Sequence, residues 1–146
     1  SNALLHLQEL YEDNPGMPRE REFAVYRFLF WLSLALANSG DVQVCRAAAE
    51  LAPFKHVPMV RHALSVHAAV CASDAYAYFR LVERIPAEAP LQVHIHETTI
   101  GPHMRACAWA CLLKGYKIAV PLTHVRAWLG LGLGEAETAY LREQGA

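Results

Sequence analysis

Several patterns that would assign a chemistry are scarce or missing from this chain. The helical metalloprotease motif H-E-x-x-H fails because Ile100 stands where the second histidine would follow His96-Glu97. No other catalytic signature is present, so no catalytic residue, resident metal or cofactor is assigned. The longest uncharged apolar run, Phe28 to Gly40, is short of the roughly 18 residues that nominate a membrane span. It predicts a buried helix instead. No charged leader followed by an apolar core and a small-residue cleavage site is visible. The four cysteines, Cys45, Cys71, Cys107 and Cys111, sit in alanine-rich, helix-forming surroundings. That is not the loop-rich spacing of a secreted disulfide scaffold, and it points to a reducing compartment. With a formal net charge of −1, the chain has no global attraction for phosphate, so any nucleic-acid site must be a local patch.

What is present is apolar and helical. With 146 residues, 54% hydrophobic and 18% charged, the chain can bury a core and is not disordered. Ser1-Asn2-Ala3 reads as the remnant of a cleaved purification tag. Leu4 to Glu12 predicts a short helix, broken by Asn14-Pro15-Gly16, and Arg19 to Asn38 a long one ending at Gly40. From Phe23 to Ala37 only Arg27 and Ser33 interrupt the apolar residues, so this helix is expected to be central and packed on several sides. Asp41 predicts an N-cap for a helix to about Leu51. Met59 to Ser73 follows, with Val60, Leu64, His67 and Cys71 on one stripe, and Asp74 caps Ala75 to Arg84. Pro102 is placed to open a helix over His103 to Lys114, with Gly115 in the capping position. Between them, Leu91 to His96 alternates apolar and polar residues as a strand would. A lone strand among helices has nothing to pair with, so this segment is assigned to a helix.

The end of the chain has a different texture. Lys117 to Val120 is a short β-branched run, Pro121 stands at a helix N1 position, and Leu122, Val125 and Leu129 recur at helical spacing. The glycines from Gly130 to Gly134 stop that helix, and Glu135, Glu137 and Gly145 bracket another. A strand followed by two short helices predicts a winged-helix-like end. The reading is therefore all-α, with at least six helices in stacked hairpins over 4–116, a winged-helix-like part over 117–146, and strand content confined to Lys117–Val120.

The candidate reactive side chains also have plainer roles. His103, Cys107 and Cys111 share a helix face at four-residue spacing, but a structural zinc site wants tight ligand pairs, and this spacing suits packing by small residues. His67 and Cys71 lie one turn apart without an orienting third group, so they read as ordinary groove residues. Arg105, Lys114, Lys117 and Arg126 form the best basic cluster and are the nucleic-acid-binding candidates. The second terminal helix carries Glu135, Glu137 and Glu143 against Arg142 and Gln144, which disfavours reading of the major groove. Trp128, Leu131 and Leu133 crowd the turn between the two helices. They are partner-interface candidates, with Trp128 expected to be mostly buried.

Four stretches carry a family likeness. They are Glu22-Phe23-Ala24-Val25-Tyr26-Arg27; Val60 to Val66 leading into Ala75-Tyr76-Ala77-Tyr78-Phe79-Arg80-Leu81; Met104-Arg105-Ala106 through Lys114-Gly115-Tyr116-Lys117; and Val120-Pro121-Leu122 through Leu141. In this order and spacing the chain resembles the SAC/GANP family of mRNA-export scaffolds, within the wider PCI class. All four are packing motifs, and the chain stops before the β-hairpin wing that closes a winged helix in that family. The resemblance implies a non-catalytic scaffold in nuclear mRNA processing or export, near the pore. It also implies pairing with another PCI-type protein and a small acidic DSS-type subunit. The alternative reading is a free-standing helix-turn-helix nucleic-acid-binding regulator.

Overall fold

In the computed structural model the described residues are 3, 6, 9–10, 13, 19–38, 41–87, 90–116, 119–131, 139 and 141–143. Among them every regular element is helical. The order is α1 (Glu20–Asn38), α2 (Asp41–Leu51), a 3-10 turn (Ala52–Phe54), α3 (Pro58–Cys71), α4 (Ala75–Val82), α5 (Leu91–Ile95), a π-helical turn (His96–Ile100), α6 (Gly101–Gly115) and α7 (Leu122–Trp128). The expected all-α architecture is what the chain adopts. The predicted helix over Leu4–Glu12 lies largely outside the described residues.

α1 is the centre of the array. Its apolar residues go all round, so it can be covered from several directions at once, and it packs against α2, α3, α5 and the π turn. Val25, Tyr26, Phe28, Leu29 and Leu32 are buried, each large side chain contributing on the order of 1.5–3 kcal/mol. Val44, Ala47 and Leu51 of α2 close one side, where Arg27 Nη2 also donates to Glu50 Oε2 at 3.1 Å. The Tyr26 hydroxyl donates to Glu22 Oε1 at 2.7 Å and accepts from the Leu91 N–H at 3.4 Å, satisfying one of the orphan donors that begin α5. Burial, and then that bond to Glu22, push the Tyr26 phenol up to about 12.

α3 turns a different face inward from the predicted stripe. Val60, Ala63, Val66, Ala69 and Val70 are buried, whereas His67 is half-buried and Cys71 exposed. α4 starts as predicted: Asp74 Oδ1 accepts from the Ala77 N–H at 2.9 Å. It ends at Val82, two residues short of Arg84.

Leu91 to His96 is helical, and the alternation there misleads about burial. Gln92, His96 and Ile100 recur at four-residue spacing and are buried, while Leu91 and Val93 are exposed. Pro102 does not open a helix here. It lies in the first turn of α6 just after the π turn, and the helix runs on through it. Proline has no N–H, and its ring crowds the carbonyl four residues back, so a straight α-helix would be broken. Widening by one residue relieves the conflict. The Gly101 N–H bonds the His96 carbonyl five residues back, and the Thr98 and Thr99 hydroxyls donate to the carbonyls of His94 and Ile95, each at 2.7 Å. A Cβ on Gly101 would come within 2.5 Å of the His96 oxygen. Gly115 is the last residue of α6, and Tyr116 takes the capping position.

The predicted strand at Lys117–Val120 falls partly outside the described residues. Ala119 and Val120, which are described, have no regular structure. Pro121 is the N-cap of α7, one position ahead of the predicted N1. Of the second terminal helix, Leu141, Arg142 and Glu143 are helical, with Leu141 buried and the two charged residues exposed.

Candidate partner interface at the junction of α4, α6 and α7

The terminal helix is fastened to the array at one point. Leu129, fully buried just after α7, accepts from Arg105 Nε at 3.2 Å through its carbonyl. Gly130 follows at φ +61°, a conformation that costs an L-residue roughly 1–2 kcal/mol. A Cβ there would stand 2.4 Å from the Phe79 ring. Arg105 in turn lies over that ring, with its guanidinium carbon 5.7 Å from the centroid. Phe79, Arg105 and Gly130 thus lock three elements together.

An aromatic face opens on one side of this lock. Tyr116, at the end of α6, stacks on Trp128 with ring centroids 5.4 Å apart and planes at 27°, and His124 lies 6.0 Å from the same indole. A hollow of about 240 Å³ beside them is lined by Tyr76, Ala108, Cys111, Leu112, Tyr116 and Trp128. Tyr76 and Tyr116 are more than half exposed, Leu113 is 65% exposed and Leu122 48%. Tyr76 and Tyr116 thus stand in water beside this hollow, and exposed Arg80 lies against the first of them. Arg80 stacks over Tyr76 at 5.6 Å and donates to its hydroxyl at 2.9 Å.

A mixed cleft of about 360 Å³ opens on the other side, between α4, the π turn, α6 and α7, with Arg105 and Arg126 among its lining residues. Beneath it the Tyr78 hydroxyl meets Nδ1 of buried His96 at 3.0 Å. His62, also buried, is held by the Leu81 carbonyl at 2.8 Å from Nε2, and its ring is 6.3 Å from that of His96. Burial pushes the Tyr78 phenol well above its usual range. Burial first, and then the nearby His62 imidazole, hold His96 down at about 4. His96 is therefore neutral, and which group donates in its bond to the Tyr78 hydroxyl is set by the imidazole tautomer.

The predicted site residues are only partly brought together. Arg105 and Arg126 share the cleft. Lys114 is exposed nine residues further along α6, roughly 13 Å away and half a turn round the helix. Lys117 lies outside the described residues, as does Leu133. Trp128 keeps only a minor part of its surface in water, as expected, with the Tyr116 ring stacked on it. Leu131 packs against the core and lines the Arg105 cleft, not the aromatic face. Sequence reasoning missed Tyr76 and Tyr116 as surface residues and His62, Gln92 and His96 as buried ones. The four-residue spacing of Gln92, His96 and Ile100 was the available signal.

The two histidine–cysteine pairs are one-turn contacts on single helices: His67 Nε2 to Cys71 Sγ is 3.3 Å, and His103 Nε2 to Cys107 Sγ is 3.5 Å. Among the described residues no three His, Cys, Asp or Glu side chains converge as metal ligands. No helix among them is long and apolar enough to cross a membrane.

Against this geometry, the model of the SAC3/GANP family matches residues 1–145. The chain belongs to the SAC3/GANP family. Its all-helical fold agrees with that membership. The family is one of non-catalytic scaffolds associated with the mRNA-export machinery. No curated protein and no solved structure matches the chain.

Proposed function

We propose that this SAC3/GANP chain is a non-catalytic scaffold domain that assembles protein partners in nuclear mRNA processing or export. Its helical array leads into a winged-helix-like end, and its partners are another PCI-type protein and a small acidic DSS-type subunit. The observation that carries the reading is the aromatic face of Tyr76, Tyr116 and Trp128 around one hollow, with Leu113 and Leu122 also exposed on α6 and α7. Large apolar side chains gathered in water cost solubility unless a partner covers them, and Tyr and Trp are the side chains that anchor interfaces. Nonspecific RNA contact, if made beside the partners, rests on Lys114 and Lys117, since Arg105 and Arg126 are half-buried in a cleft edged by acids.

The test is co-purification from the protein's own cells, read by mass spectrometry, with wild type compared against Leu113→Asp and Tyr116→Ser. A PCI-type protein should be enriched with wild type and fall at least tenfold with either variant, while the thermal unfolding midpoint stays within a few degrees. Enrichment of metabolic enzymes instead, or capture indifferent to both substitutions, would refute the scaffold reading.

A further inference from the structure

Arg105 is held unusually well for a half-buried arginine. Its Nε donates to the Leu129 carbonyl at 3.2 Å and its plane lies over Phe79, so the position of the guanidinium is fixed from two directions. Its two terminal nitrogens make no hydrogen bond among the described residues. A fixed fork with free N–H groups matches both oxygens of a carboxylate or the edge of a phosphate, and little conformational freedom is lost when it binds. Arg126 enters the same cleft from α7.

The remaining walls narrow the choice. Phe79, Val82 and Leu131 give an apolar floor, and exposed Glu83 and Glu97 stand at the edge. The two acids repel a polyanion, such as a nucleic-acid strand that would bring several phosphates past them. The half-buried arginines are less screened by solvent and favour one anionic group inside. At about 360 Å³ the cleft is at the small end of ligand pockets, suited to one residue or two. A chain end carries its carboxylate and its last side chain on a single Cα, so both reach the fork and the apolar floor together. An internal Asp or Glu would have to lead chain past Glu83 and Glu97 on both sides. The acids can also accept backbone N–H groups of the last residues.

We propose that this cleft binds the free C-terminal carboxylate of a partner polypeptide that ends in an apolar residue. The site rests on the reading of the domain as a protein scaffold, but it is separate from the aromatic face and is tested without partners from cells. The probe is an N-terminally fluorescein-labelled octapeptide of Gly and Ser ending in Leu, prepared as the free acid and as the C-terminal amide. The controls are an amidated octapeptide with an internal Glu and an eight-nucleotide oligouridylate, all titrated by fluorescence anisotropy against the full chain. The free acid should bind at least tenfold more tightly than the amide. Arg105→Lys, which keeps the charge and loses the fork, should bring the free acid to within about twofold of the amide. Arg126→Gln should weaken the free acid several-fold, and it carries the test if Arg105→Lys proves unfolded by circular dichroism. Equal affinity of acid and amide, including no detectable binding of either, overturns the proposal. So does an internal-Glu peptide that binds as well as the free acid, or tight oligouridylate binding that is lost on substituting the same arginines.

Discussion

The Tyr78 hydroxyl and Nδ1 of His96 are hydrogen-bonded across 3.0 Å, joining α4 to the π turn inside the array. Both groups are buried, and each depends on the other: the phenol has lost water, and so has the imidazole nitrogen it meets. Tyr78→Phe removes the hydroxyl and leaves the buried Nδ1 without a partner. The expected loss is roughly 1–3 kcal/mol, measured by urea denaturation at pH 7. A loss below about 0.5 kcal/mol would mean that the bond contributes nothing net.

His96 also sets an acid limit. Its value in the folded chain, about 4, lies below the 6.5 of an unfolded chain, so between those limits the unfolded state binds the extra proton. The stability due to neutral His96 is fully present above about pH 6.5 and is lost progressively as pH falls toward 4, by about 3 kcal/mol in all. His96→Gln should show a shallower decline over that window in chemical denaturation at several pH values. Parallel profiles for the two proteins would remove His96 as the cause.

The glycine over Phe79 is expected to be intolerant. Gly130→Ala puts a Cβ at positive φ and 2.4 Å from an aromatic ring. Strain and overpacking together should cost roughly 2–4 kcal/mol. Gly115→Ala, whose Cβ would meet nothing within 4 Å, serves as the control and should leave the melting temperature unchanged or slightly raised. Equal effects of the two would disprove the close approach to Phe79.

Trp128 and Leu129 are neighbours with opposite duties. Leu129 is fully buried, so Leu129→Ala should cost roughly 2–5 kcal/mol. Trp128 is stacked on Tyr116 and keeps a minor part of its surface in water, so Trp128→Ala should cost less than a core Trp, roughly 2–3 kcal/mol. Denaturation of both variants checks the two ranges, and a Trp128→Ala loss above its range would move Trp128 from the surface to the core.

For nucleic acid, replacing Lys114 and Lys117 by Glu should abolish any weak binding, whereas Arg142→Ala with Gln144→Ala should change sequence preference little. Titration against random and selected oligonucleotides at two salt concentrations checks both. Site preference that survives the lysine changes and disappears with the helix changes would favour a sequence-reading regulator.

Much of this architecture was legible where the local signals agreed. α1 was recognisable because apolar residues surround it, and the start of α4 because Asp74 is a strong cap. The terminal helix was marked by Leu122, Val125 and Leu129. Burial was harder to read wherever polar side chains go inside. Gln92 and His96 look like the solvent side of an alternating segment, yet their neighbours Leu91 and Val93 are the exposed ones. On α3 the stripe through His67 and Cys71 was as plausible as the buried one, since periodicity gives a spacing and not a direction. The candidate site was half visible. Arg105 and Arg126 were both named, but pairing them in one cleft required the path of the chain through Leu129 and Gly130, which no local pattern encodes.

The π turn between His96 and Ile100 has a consequence for how this helix tolerates change in length. One extra residue in a turn offsets everything beyond it by about 100° relative to a straight α-helix. The buried faces of α5 and α6 therefore point where they do only because that residue is accommodated. Deleting one residue from this segment would let the helix run straight. Because the deletion removes the offset together with the extra residue, Met104 would stay in the core and Arg105 on Phe79 and Leu129, whereas straightening the helix at its present length would turn both away. For this stretch the count of residues sets the winding of the helix as much as their identity does.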